Sequence, residues 1–536
     1  MRLRLSGGCY HARSIISSAQ RQVNLFSEKS IGGAIVDMAT GASVGTPEAG
    51  GITSGLLTLY PTPGLLPLGA LPPIAGKARG LYWANSGDLY YCCGPTLYRV
   101  NSDWSFTVIG TIAAGSTPVS MQDNGQFLVL VDGSPSGYQV DLASYEFRAI
   151  NGTPYPVGNA PTVASTMVYG FYGANRVATI DGYMLFNQPG TRNFYCTYNN
   201  ELVFDSLYIA AKAGYADDIA GIVVNQRSVW LIGLRTTEIW FDAGAADFPF
   251  AIMPGPFINH GCQAPFSIAQ INESIYWLEQ DQAGANIVVR SQGYAVVRVS
   301  THAIETAWAA YPATADATAF CFQHAGHVFY QINFPSADAS WRFDETTGEW
   351  HEAVWTDPSG GEHRHRAACA AWAYGRNVCA DWQTGQLYAL DAATYTDAGA
   401  PILRIRDFPH LVADGKRLFY QQFLLDMAVG QSVGTSDPPG PFPLLDGPDG
   451  GALDMLAGPA PLPDTSPQVL LSWSDDRGRT FGNPVAASLG ATGEYLTSIQ
   501  YQRLGMARDR VFRVQWDAPV ETALQGAFVT FRGATS

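Results

Sequence analysis

Ser474, Asp476, Gly478, Thr480 and Phe481 have the clearest chemistry in their spacing, within Ser474-Asp-Asp-Arg-Gly-Arg-Thr-Phe481. The pattern S-x-D-x-G-x-T-[WF] is the Asp-box, and its physics is that of a hairpin turn. The aspartate accepts from turn amides, the glycine takes a positive φ, and the aromatic ring plugs the sheet below. Propeller hydrolases such as sialidases carry several such boxes, as structural devices. Here there is one, so it predicts a turn and not a catalyst.

Other reactive groups divide in the same way. A retaining glycosidase needs two carboxylates about 5 Å apart, and sialidases use a Tyr–Glu pair, usually with an arginine cluster. No arginine recurs at one position of the repeated units described below, and no GxSxG, HExxH or P-loop pattern occurs. His363 and His365, beside Glu362, would share one face of a strand and could ligate a metal. They follow Asp357-Pro-Ser-Gly-Gly, however, which predicts a solvated loop, and no third ligand is evident. Trp230, Trp240, Trp277, Trp341, Trp350 and Trp355 could stack on sugars, but their places on predicted strands make core packing the expectation. Cys9, Cys92, Cys93, Cys196, Cys262, Cys321, Cys369 and Cys379 show neither a CxxC pair nor zinc-ligand spacing. They predict reduced, buried thiols in a protein made in a cytoplasm. Cys92 and Cys93 fall on one predicted strand and should face opposite ways. No catalytic residue, cofactor or metal site is therefore expected.

Composition narrows the class. Of 536 residues, 47% are hydrophobic and 14% charged; the usual charged share is about 25%. Sparse charge suits a protein that hides much of its surface in an assembly. The net charge is 31 − 46 = −15. Proteins that grip DNA are usually basic, because duplex DNA carries about one negative charge per 1.7 Å. An acidic chain can still surround DNA that must slide. The opening MRLRLSGGCYHARS has no apolar run of the secretory kind. No apolar stretch is long enough to predict a membrane-spanning helix.

The elements that must position these groups are strands. With 56 glycines and 33 prolines spread along the chain, helical periodicity is nearly absent. Apolar runs recur instead, starting at Leu89, Phe127, Tyr183, Val229, Ile275, Val328 and Val378. Each is followed by another strand (TLYRV, GYQVDL, NFYCTY, TEIWF, NIVVR, SWRFD, QLYALD) and often a third. Three or four short strands every 40 to 50 residues predict propeller blades. A single blade cannot cover both faces of its own sheet, but a ring of blades can. The expected fold is all-β. A β-propeller of six or seven blades spans 78–408, preceded by an extended N-terminal arm and lead-in over 1–77. A C-terminal β-sandwich-like region follows over 409–536, with a Pro/Gly-rich loop or insertion at 431–467.

Several stretches carry a family resemblance. Tyr10-His-Ala-Arg-Ser14 precedes Ala19-Gln-Arg-Gln-Val-Asn-Leu-Phe26, and Tyr60-Pro-Thr-Pro-Gly-Leu65 precedes Arg79-Gly-Leu-Tyr82. RTTEIWFDAG, FPFAIMPG, NHGCQAPFSIA, SIYWLEQD and GYAVVRVSTHAIE follow in order between Ser228 and Glu305. QTGQLYALD, YTDAGAPILRIR, the SDDRGRTF turn and RLGMARDRVFRV complete the set. In this combination the chain resembles the tail hub (nozzle), or packaged-DNA-stabilisation, proteins of short-tailed bacteriophages.

The resemblance implies a non-enzymatic virion protein of the tail, made in the host cytoplasm. Copies would form a six-fold ring below the portal and its head–tail adaptor. The ring would extend the DNA channel, retain packaged DNA and carry fibres or spikes and a needle-like plug. Double-stranded DNA would pass without sequence-specific contacts. Tyr10, Arg13, Ser14, Asn24, Leu25 and Phe26, in the N-terminal arm, are the candidate assembly contacts, because they lie outside the self-closing propeller. The competing expectation is a glycan-binding or glycan-cleaving, sialidase-like propeller.

Overall fold

The computed structural model describes residues 3, 10, 21–29, 57–150, 170–245, 247–280, 284–413, 415–428, 467–490 and 494–533. It divides into two units. One comprises 10–13 and 63–400; the other comprises 1–9, 14–62 and 401–536.

The first unit is a propeller of seven four-stranded antiparallel blades, spanning 78–111, 120–150, 177–211, 219–252, 269–298, 318–352 and 367–391. The seventh is completed from far upstream. Its own three strands, Ala367–Ala373, Arg376–Asp381 and Leu387–Asp391, take Gly64–Pro67 as their fourth member, with Asp391 opposite Gly64, and the short strands Thr396–Asp397 and Ala400–Pro401 continue the sheet beyond it. The sequence boundary at 77/78 therefore cuts through this unit, because a strand assigned to the lead-in closes the ring. The seven apolar runs found by sequence are the second strand of each blade. The innermost strands, such as Ser120–Asp123, Ala269–Ile271 and Ala367–Ala373, carry smaller or more polar residues and went unmarked. Those of the first and last blades pack against each other, so the ring is closed.

Apolar cores fill the joints between blades. Ala84, Tyr90, Cys92 and Leu97 of blade 1 pack on Met121, Leu128, Leu130 and Val140 of blade 2. Leu89, Tyr91, Cys93 and Tyr98 pack on Val378, Ala380, Leu387 and Ala389 of blade 7. Cys92 and Cys93 thus enter different cores, as strand alternation requires. The joint between blades 6 and 7 is polar by contrast. Asn333 Nδ2 donates to the Ala367 carbonyl at 3.0 Å and Arg342 Nη2 to Gln331 Oε1 at 2.7 Å, with His351, His365 and Asp381 buried nearby. Among the described residues the only α-helix is His302–Trp308, whose Trp308 is buried in the core between blades 5 and 6.

The second unit is a β-sandwich. In one sheet the order is Leu25–Lys29, Leu57–Pro61, Leu524–Gly533, Leu418–Met427 and Ile499–Gln502, with Met506–Ala507 on the last long strand. In the other it is Gln22–Val23, Arg404–Asp407, Asp509–Trp516, Gln468–Ser474 and Val485–Ser488. Alternation buries every second residue of Leu418–Met427 at its start, and a bulge between Tyr420 and Gln422 keeps Phe423, Leu425 and Met427 on the core side. The C-terminal part of the sandwich thus begins at 401, not 409, and three further strands, Gln22–Val23, Leu25–Lys29 and Leu57–Pro61, come from the stretch expected to be an arm and lead-in. The predicted insertion lies, over 431–466, outside the described residues.

Candidate functional site

Two places could do chemistry: the propeller axis and the Asp-box turn. The innermost strands of all seven blades line an axial cavity of about 1160 Å³. Its charged lining residues are Lys77, Arg79, Arg176, Arg364 and Asp316. Arg79 is buried and spoken for: its Nη2 meets Asp132 Oδ2 at 2.8 Å, and its other nitrogens reach the carbonyls of Gly94, Ala113 and Thr117. Arg176 donates to the Ile268 carbonyl and lies over the Phe266 ring, and burial pushes its guanidinium down to about 10. The Arg364 guanidinium stacks 3.9 Å from the centre of the Trp382 ring. Asp316 is the one carboxylate of the lining, and no tyrosine or glutamate is among the lining residues. The described cavity wall therefore offers neither the carboxylate pair nor the Tyr–Glu pair that glycoside cleavage needs.

The Asp-box turn lies in the sandwich, between Gln468–Ser474 and Val485–Ser488. Ser474 Oγ donates to Asp476 Oδ1 at 2.6 Å and accepts from the Gly478 amide at 2.8 Å. Asp476 accepts from the amides of Arg479 and Thr480, and from the Thr480 hydroxyl at 2.6 Å. The Ser474 and Thr480 hydroxyls, with those amides, hold its carboxyl far below the usual carboxylate range. Gly478 has φ 84°. Phe481 is only half-buried; the Arg513 guanidinium lies 3.7 Å from its ring centre and also grips Asp407 bidentately at 2.7 and 2.8 Å. Both carboxylate oxygens of Asp476 are thus occupied in holding the turn.

The remaining candidates fall apart as sites. His363 sits on a short strand, Glu362–Arg364, rather than a free loop, with Nδ1 2.7 Å from Asp338 and Nε2 3.3 Å from Asp357. His365 is buried in the polar joint, and burial, together with Arg342 and Arg366, drives its ring well below the usual histidine range. Among the described residues no group of three or more metal-ligating side chains forms. Trp230, Trp240, Trp277, Trp341 and Trp350 are buried; Trp355 is half-buried under Arg366, 4.6 Å away. The seven described cysteines are free thiols.

The assembly candidates are placed unexpectedly. Tyr10 is held on blade 6, its hydroxyl donating to Glu352 at 2.8 Å and its ring edge-on to Trp341. Asn24 donates to the Leu403 carbonyl at 2.9 Å, and Leu25 and Phe26 are buried in the chain's own sandwich. These three lie outside the propeller, as expected, but their side chains are buried within this chain's own sandwich. Arg13 and Ser14 lie outside the described residues.

This pairing of a propeller with a sandwich recurs in known proteins. The family described as bacteriophage P22 Gp10, beta-propeller, matches residues 44–395, and its beta-sandwich counterpart matches 451–532. The chain belongs to the bacteriophage P22 Gp10 family. Gp10-family proteins are packaged-DNA-stabilisation proteins, so this is a structural protein of the phage tail. No curated protein matches the Gp10-family chain. Among solved structures, a chain of the mitotic checkpoint complex is 12% identical over 60% of this chain and 93% of its own, with a TM-score of 0.34. U3-55K is 9% identical over 62% and 98%, with a TM-score of 0.37. The extracellular domain of a hybrid two-component system from B. thetaiotaomicron is 7% identical over 70% and 42%, with a TM-score of 0.39. Likenesses this distant decide nothing about the Gp10-family chain. Among its described residues no helix is long and apolar enough to cross a membrane.

Proposed function

We propose that this Gp10-family protein is the tail hub, or nozzle, of a short-tailed phage. Copies join in a six-fold ring below the head–tail adaptor. The ring extends the portal channel, keeps packaged DNA in, and conducts it outward at ejection. Fibres or spikes and a needle-like plug attach to it. The family match across both the propeller and the sandwich carries this reading.

Three properties support it. A propeller closed by a strand from upstream is rigid, as a load-bearing ring must be. The net charge of −15 favours DNA that slides over DNA that sticks. The described axial cavity presents no catalytic pair.

The test is genetic. Phage with an early stop codon in this gene should fill their heads and then lose the DNA, and supply of the protein in trans should restore retention. Heads that hold their DNA without the protein would overturn the proposal.

A further inference from the structure

The outer face of the sandwich carries an exposed patch of arginines around a phenylalanine and a methionine. On the Leu418–Met427 strand, Phe419 stands opposite Met506 on one side and Arg532 on the other. Arg417 immediately precedes this strand, Arg508 immediately follows Met506–Ala507, and Arg503 lines a groove of about 640 Å³ next to Phe419. All six side chains are exposed, Phe419 by 48% and Met506 by 38%. None of the four arginines pairs with a carboxylate among the described residues. In a chain of net charge −15, such a cluster calls for an anionic partner.

The apolar centre says which kind. Phosphates of duplex DNA would engage the arginines and leave Phe419 and Met506 in water. Aromatic residues, methionine and arginine together are the composition of protein–protein contact cores.

This chain offers the complement. Phe204–Ala211 is the outermost strand of blade 3, and its Leu207 is 77% exposed. Asp205 accepts from the Tyr198 hydroxyl at 2.8 Å beside it. Glu201 and Asp247 are exposed nearby; Tyr198 feels the charge of Glu201, and Tyr208 feels those of Asp205 and Asp247.

We propose that the arginine–phenylalanine patch of one copy docks on the acidic outer edge of blade 3 of the next. Leu207 enters between Phe419 and Met506, and Glu201, Asp205 and Asp247 pair with the arginines. The inference rests on the ring reading above. A contact between two different surfaces is heterologous, the type that closes into rings.

The test measures the mass of the purified full chain in solution, at low and high salt. It compares the wild type, Arg508→Glu/Arg532→Glu, Glu201→Lys/Asp247→Lys, and all four changes together. Every substituted residue is exposed, and circular dichroism checks the fold. The wild type should assemble, each double variant should associate roughly tenfold or more weakly, and the fourfold variant should recover. Assembly indifferent to both double variants would overturn this contact and leave the ring standing. A wild type that stays monomeric at every concentration and salt would overturn the ring, and the contact with it. Duplex DNA bound by the wild type and lost in Arg508→Glu/Arg532→Glu, with assembly unchanged, would make the patch a DNA site and also overturn the proposal.

Discussion

Leu65 faces Leu390 across the seam that closes the propeller. The two come from opposite ends of the unit, so the ring is held by a pairing with almost the largest sequence separation the unit allows. Such closure makes the blades one cooperative body and leaves only short, protected edges.

The seam should be sensitive. Leu65 is fully buried, and Leu65→Ala should cost about 2–5 kcal/mol. Gly64 has no room for a side chain, since a Cβ there would lie 2.2 Å from the Thr394 carbonyl oxygen. Gly64→Val should therefore open the seam. Hydrogen exchange should show Leu387–Asp391 losing protection before the strands of blades 2 to 5. Uniform loss would contradict a seam that can open alone.

Removing residues 1–30 should unfold the sandwich. Val23, Leu25 and Phe26 are buried in it. Each buried side chain of this kind contributes about 1.5–3 kcal/mol, against a domain's net stability of about 5–15 kcal/mol. Calorimetry should show one transition lost and the propeller's retained. Two intact transitions would return these residues to the role of a free arm.

Acid should attack the joint between blades 6 and 7. Burial, then Arg342, drives the rings of both His351 and His365 well below the usual value of 6.5. The unfolded chain binds protons there that the folded chain refuses. Their contribution is therefore complete above about pH 6.5 and is lost as pH falls below it, by up to about 1.4 kcal/mol per unit per histidine. His351→Gln should lower the slope of stability against pH between 6.5 and 5 by one histidine's share. An unchanged slope would contradict this assignment.

Asp476→Ala should loosen the Asp-box turn and lower the melting temperature of the sandwich. The depressed carboxyl contributes above its ordinary value of 3.8, and that contribution disappears as pH falls through the acid range below it. Glycan turnover should be absent in both wild type and variant. Turnover in the wild type, abolished by the substitution, would revive the hydrolase reading.

Much of this fold is legible in the sequence, for local reasons. Runs such as Leu89–Cys93, Ser228–Gly233 and Ser274–Gln280 are buried on both faces between neighbouring blades, so they stand out as continuous apolar stretches. The innermost strands face the axial cavity on one side, and residues such as Ala269, Gln270 and Ile271 give no such signal. The strand Gly64–Pro67 lies among prolines and glycines, and only the distant Leu387–Asp391 makes it a blade member. Asn24-Leu25-Phe26 was legible as important but not as inward, because a short apolar run serves a core and an interface equally. The Asp-box turn is local, its hydrogen bonds all falling between Ser474 and Thr480, whereas Phe481 stacks on the distant Arg513 instead of sinking into the sheet.

The most direct test of the central claim is immunogold electron microscopy of intact and DNA-emptied particles, with antibody to the sandwich. Gold at a single vertex, on a short tail, is the predicted result. Gold on fibres or tail tips, or none on particles whose disrupted fractions bind the antibody, would contradict the account of this protein as a tail hub.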